Sequence, residues 1–342
     1  MAKERNAFVD IMRGVAMLLV VLGHTMTGST VNSEKTFAFG IVWSLQMPLF
    51  ILISGYVTRY SRGIENGVGL LRYIGRRTLA YMLPWAVWSF LIRGLIFGQR
   101  KYLDVKYMLW HTDSGYWFLI TIWMISIVFG IASYISSAAK KSAATKNAII
   151  IAAFVAGMAV YAGVGNFAGM TFLGIKLTLY YMPFYLAGWL YGQYRDKIFA
   201  LSAGKTAVDI VIAACLLAWI FCIRRFDLYA MSDGGINIII RACVSLCGCI
   251  AVCGLLKGLF ELPGKPNAAG RLFDWCGVHS LEIYMLHGFV LNILRLKTKP
   301  EFSSITGYAL VFGNYVIAII LCFVIISIIS QSKILKKPLG IK

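Results

Sequence analysis

The chain has 342 residues, 59% of them hydrophobic and only 14% charged, with a formal net charge of +19 and a mean hydropathy of +0.76. So little polar surface cannot coat a soluble particle of this size, so lipid is the solvent for most of the chain. A soluble nucleic-acid-binding domain, the common reading of so basic a balance, is set aside because the charges gather on alternate segments between apolar runs.

Those runs recur along the whole length, each of about 20 residues, enough to cross a hydrocarbon core of roughly 30 Å as a helix. They fall near 8–28, 37–57, 79–97, 116–136, 147–165, 174–194, 206–223, 235–260, 276–296 and 307–330. The pattern predicts an all-α, polytopic membrane bundle of about ten helices. With a cytoplasmic N-terminus, the inner segments carry 20 Lys and Arg: Lys3, Arg5, Arg59, Arg62, Arg72, Arg76, Arg77, Lys140, Lys141, Lys146, Arg195, Lys197, Lys205, Lys257, Lys265, Arg271, Lys333, Lys336, Lys337 and Lys342. The outer segments carry nine: Lys35, Arg100, Lys101, Lys106, Arg224, Arg225, Arg295, Lys297 and Lys299. That bias places both termini in the cytoplasm and fits an even number of spans. The first run is expected to remain as an anchor, because Asp10 and Arg13 interrupt its apolar core and no small-residue cleavage site follows. No connecting segment exceeds about 20 residues, so residues 1–342 are expected to form one membrane-embedded domain with no separate soluble domain.

All eight cysteines fall in predicted spans or at their edges, and Cys243, Cys247, Cys249 and Cys253 share one of them. Small-residue helix packing accounts for such a stripe, and no metal centre or disulfide is expected.

Ionisable residues inside the spans carry more information, since each costs roughly 2.5 kcal/mol or more at the centre of a membrane helix. In FVDIMRGVAMLLVVLGH, Arg13 and His24 fall within about 20° of one helical face and Asp10 about 60° away. The rise sets His24 roughly 16 Å beyond Arg13, deep and toward the outer side. A snorkelling arginine, a carboxylate paired to it and a satisfied histidine would be the bland account. One polar stripe running through the membrane exceeds what anchoring needs. The ninth run contains SLEIYMLH, where Ser280, Tyr284 and His287 share a face and Glu282 points elsewhere. Such a helix must face protein or a water-filled cavity. Ahead of the third run, Arg72, Arg76 and Arg77 serve as a positive-inside signal or as guanidinium forks for phosphate. Arg93, Lys176 and Arg241 lie near outer span ends, where they snorkel or line an acceptor pocket.

Read in order, RNAFVDIMRGVAMLLVVLGH with ten residues between Arg13 and His24, QMPLFILISGY, the arginine cluster ahead of Pro84, the WFL of Trp117 to Leu119 and SLEIYMLH resemble the acyltransferase 3 family of membrane acyltransferases, especially its fucose 4-O-acetylase-like branch. The resemblance implies a ten-helix bundle in the bacterial cytoplasmic (inner) membrane. Such a bundle takes an acyl group, usually acetyl, from cytoplasmic acyl-CoA to a hydroxyl of an extracytoplasmic polysaccharide or lipid-linked glycan. By position, His24 matches the catalytic histidine and Arg13 its motif partner, with Asp10 beside them. Arg72, Arg76, Arg77, Ser54 and Tyr56 are expected at the acetyl-CoA donor site. Trp117, Tyr284, His287, Glu282, Arg93, Lys176 and Arg241 are expected at the acceptor. Many members carry a fused hydrolase-like domain that is not expected here. The implied partners are a carbohydrate or glycolipid acceptor and membrane lipid, in a monomer or an oligomer.

The chemistry is coherent, because an imidazole titrates near neutrality and can serve as general base toward a hydroxyl or accept the acyl group itself. The rival reading is a transporter or flippase for a glycan or lipid-linked sugar, which also needs intramembrane Asp, Arg, Glu and His. Such carriers commonly have paired halves, and no repeat relates the first five runs to the last five.

Overall fold

The side chain of Asn6 accepts from the Val9 N–H, at 3.4 Å, and so opens the first helix, α1, at Ala7; it runs to Ser29. In this computed structural model residues 6–61, 63–112, 115–139, 141–200, 204–260 and 268–332 are described. Lys3, Arg5, Arg62, Lys140, Lys265, Lys333, Lys336, Lys337 and Lys342 of the cationic pattern lie outside the described residues. Thr36 caps α2, Phe37–Val57, and Asn66 caps α3, Gly67–Ala86. The latter runs on as a π-helix over Val87–Ile96. Then follow the short α4 (Val105–Trp110), α5 (Trp117–Ala138), α6 (Ala143–Ala168), α7 (Ile175–Ala200), α8 (Gly204–Arg225) and α9 (Gly235–Phe260). α10 (Ala268–Val278), α11 (Ser280–Ile293) and α12 (Ile305–Ser330) complete the chain.

Among the described residues eight helices are long and apolar enough to cross a membrane, and the protein is a polytopic helical membrane protein. The sixth predicted run is α7, as long as α6 but rich in tyrosine. The ninth run, near 276–296, is corrected: it is not one helix, since it takes in only the last turn of the 11-residue α10, breaks at His279 and continues as the 14-residue α11. The third is corrected too, since its helix begins 12 residues earlier than 79, at Gly67. Arg72, Arg76 and Arg77 therefore sit on helical turns rather than in a loop, which long side chains allow by carrying charge away from the lipid.

α1 and α2 form the centre. α1 packs against α2, α10, α11 and α12, and α2 against α7 and α9. Two contacts need glycine. A Cβ on Gly14 would strike the Phe273 carbonyl and one on Gly277 the Asp10 carbonyl, so α1 and α10 meet backbone to backbone. Gly55 and Gly188 do the same for α2 and α7, against the carbonyls of Tyr185 and Leu52. Hydrocarbon tails provide no hydrophobic drive between helices, so such close approach, with its dispersion and dipole contacts, is the main cohesive force. Outer helices expose Phe167, Leu217, Ile236, Ile305 and Phe312, the apolar side chains that lipid would cover.

Candidate active site

Near the C-terminal end of α1, His24 is exposed, yet not on the outside of the bundle. It forms part of the wall of a cavity of about 600 Å³. α1 contributes Val20, His24, Thr27 and Gly28, α2 Gln46 and Met47, and the π-helix Arg93. The first turn of α5 and the residues before it add Gly115, Tyr116 and Trp117, while Tyr284, His287, Phe289 and Asn292 come from α11. Arg295 and Lys299, beyond α11, close the rim. In the orientation expected from the charge bias this rim faces outward.

The rings of His24 and His287 lie 5.1 Å apart, tilted by 43°. His287 Nδ1 is 3.0 Å from the Ile283 carbonyl. A carbonyl only accepts, so Nδ1 carries the proton and Nε2 keeps a lone pair. Neither ring nitrogen of His24 has a hydrogen-bond partner among the described residues, which leaves both to an incoming group. The Tyr284 ring lies 5.9 Å from that of His287, tilted by 41°, and its hydroxyl accepts the Phe118 N–H at 3.3 Å, so its own proton is available to donate. Tyr116 donates to the Met285 carbonyl at 3.2 Å, pinning α5 to α11. The Arg93 guanidinium lies over Tyr102 at 4.3 Å and Tyr116 at 5.7 Å. Its placement depends on the π-helix, whose wider turn shifts the register of everything after Trp88; such segments are frequent at functional sites.

Of the residues singled out in the sequence, the fold thus brings together His24, His287, Tyr284, Trp117 and Arg93. It keeps others apart. Arg13 donates to Asp10 at 3.3 Å, and this pair remains at the inner end of α1, separated from the cavity by buried Ala16, Met17 and Val21. Glu282 is buried and lies 3.4 Å from His279 at the α10–α11 break. Lys176 and Arg241 both pair with Asp233, at 2.5 and 2.8 Å, away from the cavity. That pairing holds the Asp233 carboxyl below its ordinary value, the hydrogen bond from Lys176 first and that from Arg241 next.

At the inner side Arg72 and Arg76 are exposed, and Arg72 borders a second, open cavity of about 540 Å³ with Glu65 and Asn66. Arg77 turns inward instead, donating to the Tyr81 hydroxyl at 3.3 Å and lying over Tyr73. Ser54 bonds back to the Phe50 carbonyl at 2.8 Å. Tyr56 accepts from Arg195 at 2.5 Å and meets Tyr60 at 3.3 Å, locking α2 to α7. Gln46, Tyr116, Arg295 and Lys299 were not anticipated. Gln46 opens QMPLF and Tyr116 precedes WFL, so adjacency to a motif was the available signal; the two cations read only as loop charge.

The sequence profile of the acyltransferase 3 family, described as an acyltransferase domain, matches residues 6–330. The nodulation protein NolL of Mesorhizobium japonicum is 23% identical over 334 residues, covering 90% of this chain and 85% of its own. The nodulation protein NolL of Sinorhizobium fredii is 26% identical over 139 residues, 35% of this chain and 37% of its own. No solved structure matches. These likenesses reach the family and do not single out its fucose 4-O-acetylase-like branch. A profile spanning nearly the whole bundle, the His24 cavity included, makes this chain an enzyme rather than a carrier: it belongs to the acyltransferase 3 family of membrane acyltransferases.

Proposed function

We propose that the protein takes an acyl group, most simply acetyl, from cytoplasmic acyl-CoA and places it on a hydroxyl of an extracytoplasmic polysaccharide or lipid-linked glycan at the bacterial inner membrane. The observation that carries this reading is His24: an imidazole with no hydrogen-bond partner among the described residues, on the wall of a polar cavity, in a chain of an acyltransferase family. As general base it takes the proton of the acceptor hydroxyl while the new C–O bond forms and the C–S bond breaks. The CoA thiolate leaves with that proton. As acyl acceptor it attacks the thioester carbonyl first, the C–S bond breaking and CoA thiolate leaving; the acceptor hydroxyl then displaces the imidazole from the acyl carbon as the C–N bond breaks, and the imidazole keeps the hydroxyl proton. The Tyr284 O–H, a neutral donor, and the Arg93 guanidinium, both in the cavity wall, are the candidate groups to stabilise the developing oxyanion. Motifs that resemble those of fucose 4-O-acetylases support a sugar hydroxyl as the acceptor. Arg72 and Arg76 on the inner turns of α3 are the donor-side candidates for the CoA phosphates.

Labelled acetyl-CoA supplied to inside-out vesicles tests the reading. Label is expected in polymer or lipid-linked sugar, and His24→Ala is expected to reduce it by about 10²-fold or more while the protein still inserts. Sugar movement without label, or full transfer by the variant, overturns it.

A further inference from the structure

The rim of the cavity has a charge imbalance that acyl transfer to a neutral sugar would not require. Arg93, Arg295 and Lys299 line the cavity with His24 and His287, and among the described lining residues there is no carboxylate. Arg295 and Lys299 form no ion pair among the described residues. Two cations at other outer span ends differ, Lys176 and Arg241 both being taken by Asp233. Glu301, the carboxylate two residues after Lys299, accepts from the Asn32 amide at 2.9 Å. These two cations also run against the topological bias, since positive charge is disfavoured on outer segments. Lys299 is fixed in place: its ammonium donates to the Thr27 carbonyl at 2.8 Å, less than one turn beyond His24, about 4.5 Å along the axis. One donor is used and two remain.

We propose that Arg295 and Lys299 form an oxyanion subsite on the rim, which seats a carboxylate or phosphate carried by the acceptor. This deepens the acyl-transfer reading and rests on it: the acceptor is an acidic glycan, anchored by its anion while a hydroxyl of the same or the next sugar ring reaches His24. The guanidinium fork of Arg295 suits such a planar or tetrahedral oxyanion. Apolar Met47 and Phe289 in the same wall lower the local dielectric and strengthen the attraction.

The test compares octyl glucuronide with octyl glucoside, which differ in one carboxylate, on the full-length protein in phosphatidylcholine nanodiscs. Binding is measured by calorimetry without acetyl-CoA, so a failure of acyl transfer does not obscure the result. The wild type is expected to bind the glucuronide about tenfold more tightly. Replacing both cations (Arg295→Gln with Lys299→Gln) is expected to bring the ratio of the two dissociation constants to near one, and Arg295→Lys to retain part of the preference. A wild-type ratio near one, absence of glucuronide binding, or a ratio unchanged in the double variant overturns the subsite. Loss of the preference when phosphatidylglycerol is added assigns the rim to a lipid headgroup and overturns an acceptor-borne anion. Labelled acetyl reaching neither glycoside in the wild type counts against the acyl-transfer reading, while the binding ratio still decides the subsite.

Discussion

Among the described residues both ring nitrogens of His24 are without a hydrogen-bond partner, whereas His287 spends Nδ1 on the Ile283 carbonyl. Two histidines 5.1 Å apart thus have different roles, one open and one oriented. The inner arginines divide in the same way. Arg72 and Arg76 are exposed while Arg77 is engaged by tyrosines. Arg72→Ala and Arg76→Ala should therefore raise KM for acyl-CoA, by roughly 1.5–3 kcal/mol of lost charged hydrogen bonding each, with little change in KM for the acceptor. Lysine should rescue in part. Initial rates over a range of acyl-CoA concentrations check this, and equal effects on both constants would reduce the pair to a topology signal. Asp233 is a purely structural case. Its depressed pKa means that its pairing with Lys176 and Arg241 is complete above the ordinary carboxylate range and is lost as pH falls through the lowered value. Asp233→Asn should lower stability by at most about 1 kcal/mol near neutrality, since the carboxylate is half exposed, and by nothing in strong acid. Thermal melts at the two pH values measure the difference. Sequence spacing found His24, Tyr284 and His287 because helical periodicity fixes which residues of one helix share a face. It could not find that Asp233 claims Lys176 and Arg241, because that pairing joins α7, a loop and α9.

Helices were legible wherever an apolar run was unbroken, and boundaries moved where polar residues lie inside a helix. α3 looked shorter than it is because three arginines and three glycines occupy its first turns, yet Asn66 supplies a cap and the arginines lead their charge away from lipid. The break at His279 was hidden because Arg271 and Asp274 in α10 left only its last turn inside the apolar run that continues into α11. Such interrupted helices are the form in which irregular backbone is tolerated at membrane depth, when it faces protein or a cavity. The helix that carries Tyr284 and His287 starts at this break, and its position is set by how α10 seats on α1. That seating depends on glycine. Gly277→Val should force α10 away from the Asp10 carbonyl and cost about 1–3 kcal/mol, whereas Gly75→Ala, with nothing within 4 Å of the added carbon, should be neutral or slightly stabilising. Thermal denaturation in detergent distinguishes the two, and equal melting of both variants with the wild type would dismiss the close crossing.

Across the whole molecule, the two groups of functional residues sit at opposite ends of the same scaffold. Arg72 and Arg93 belong to one continuous helical element and are separated by 21 residues, about 30 Å along its axis, close to the thickness of the hydrocarbon core. The arginine-bearing turns and the His24 cavity are therefore on different sides, whichever way the protein is inserted. The charge bias predicts the direction, with the cavity rim outside. Single cysteines in a cysteine-free background test this arrangement. Thr27→Cys, on the cavity wall, should react with an impermeant thiol reagent added to the outside of spheroplasts and be shielded by bound acceptor. Glu65→Cys, beside Arg72 in the inner cavity, should react only after the inner face is opened and be shielded by CoA. Labelling of Thr27→Cys from the cytoplasmic face alone would reverse the orientation, and an acceptor approaching His24 from outside could not then be maintained.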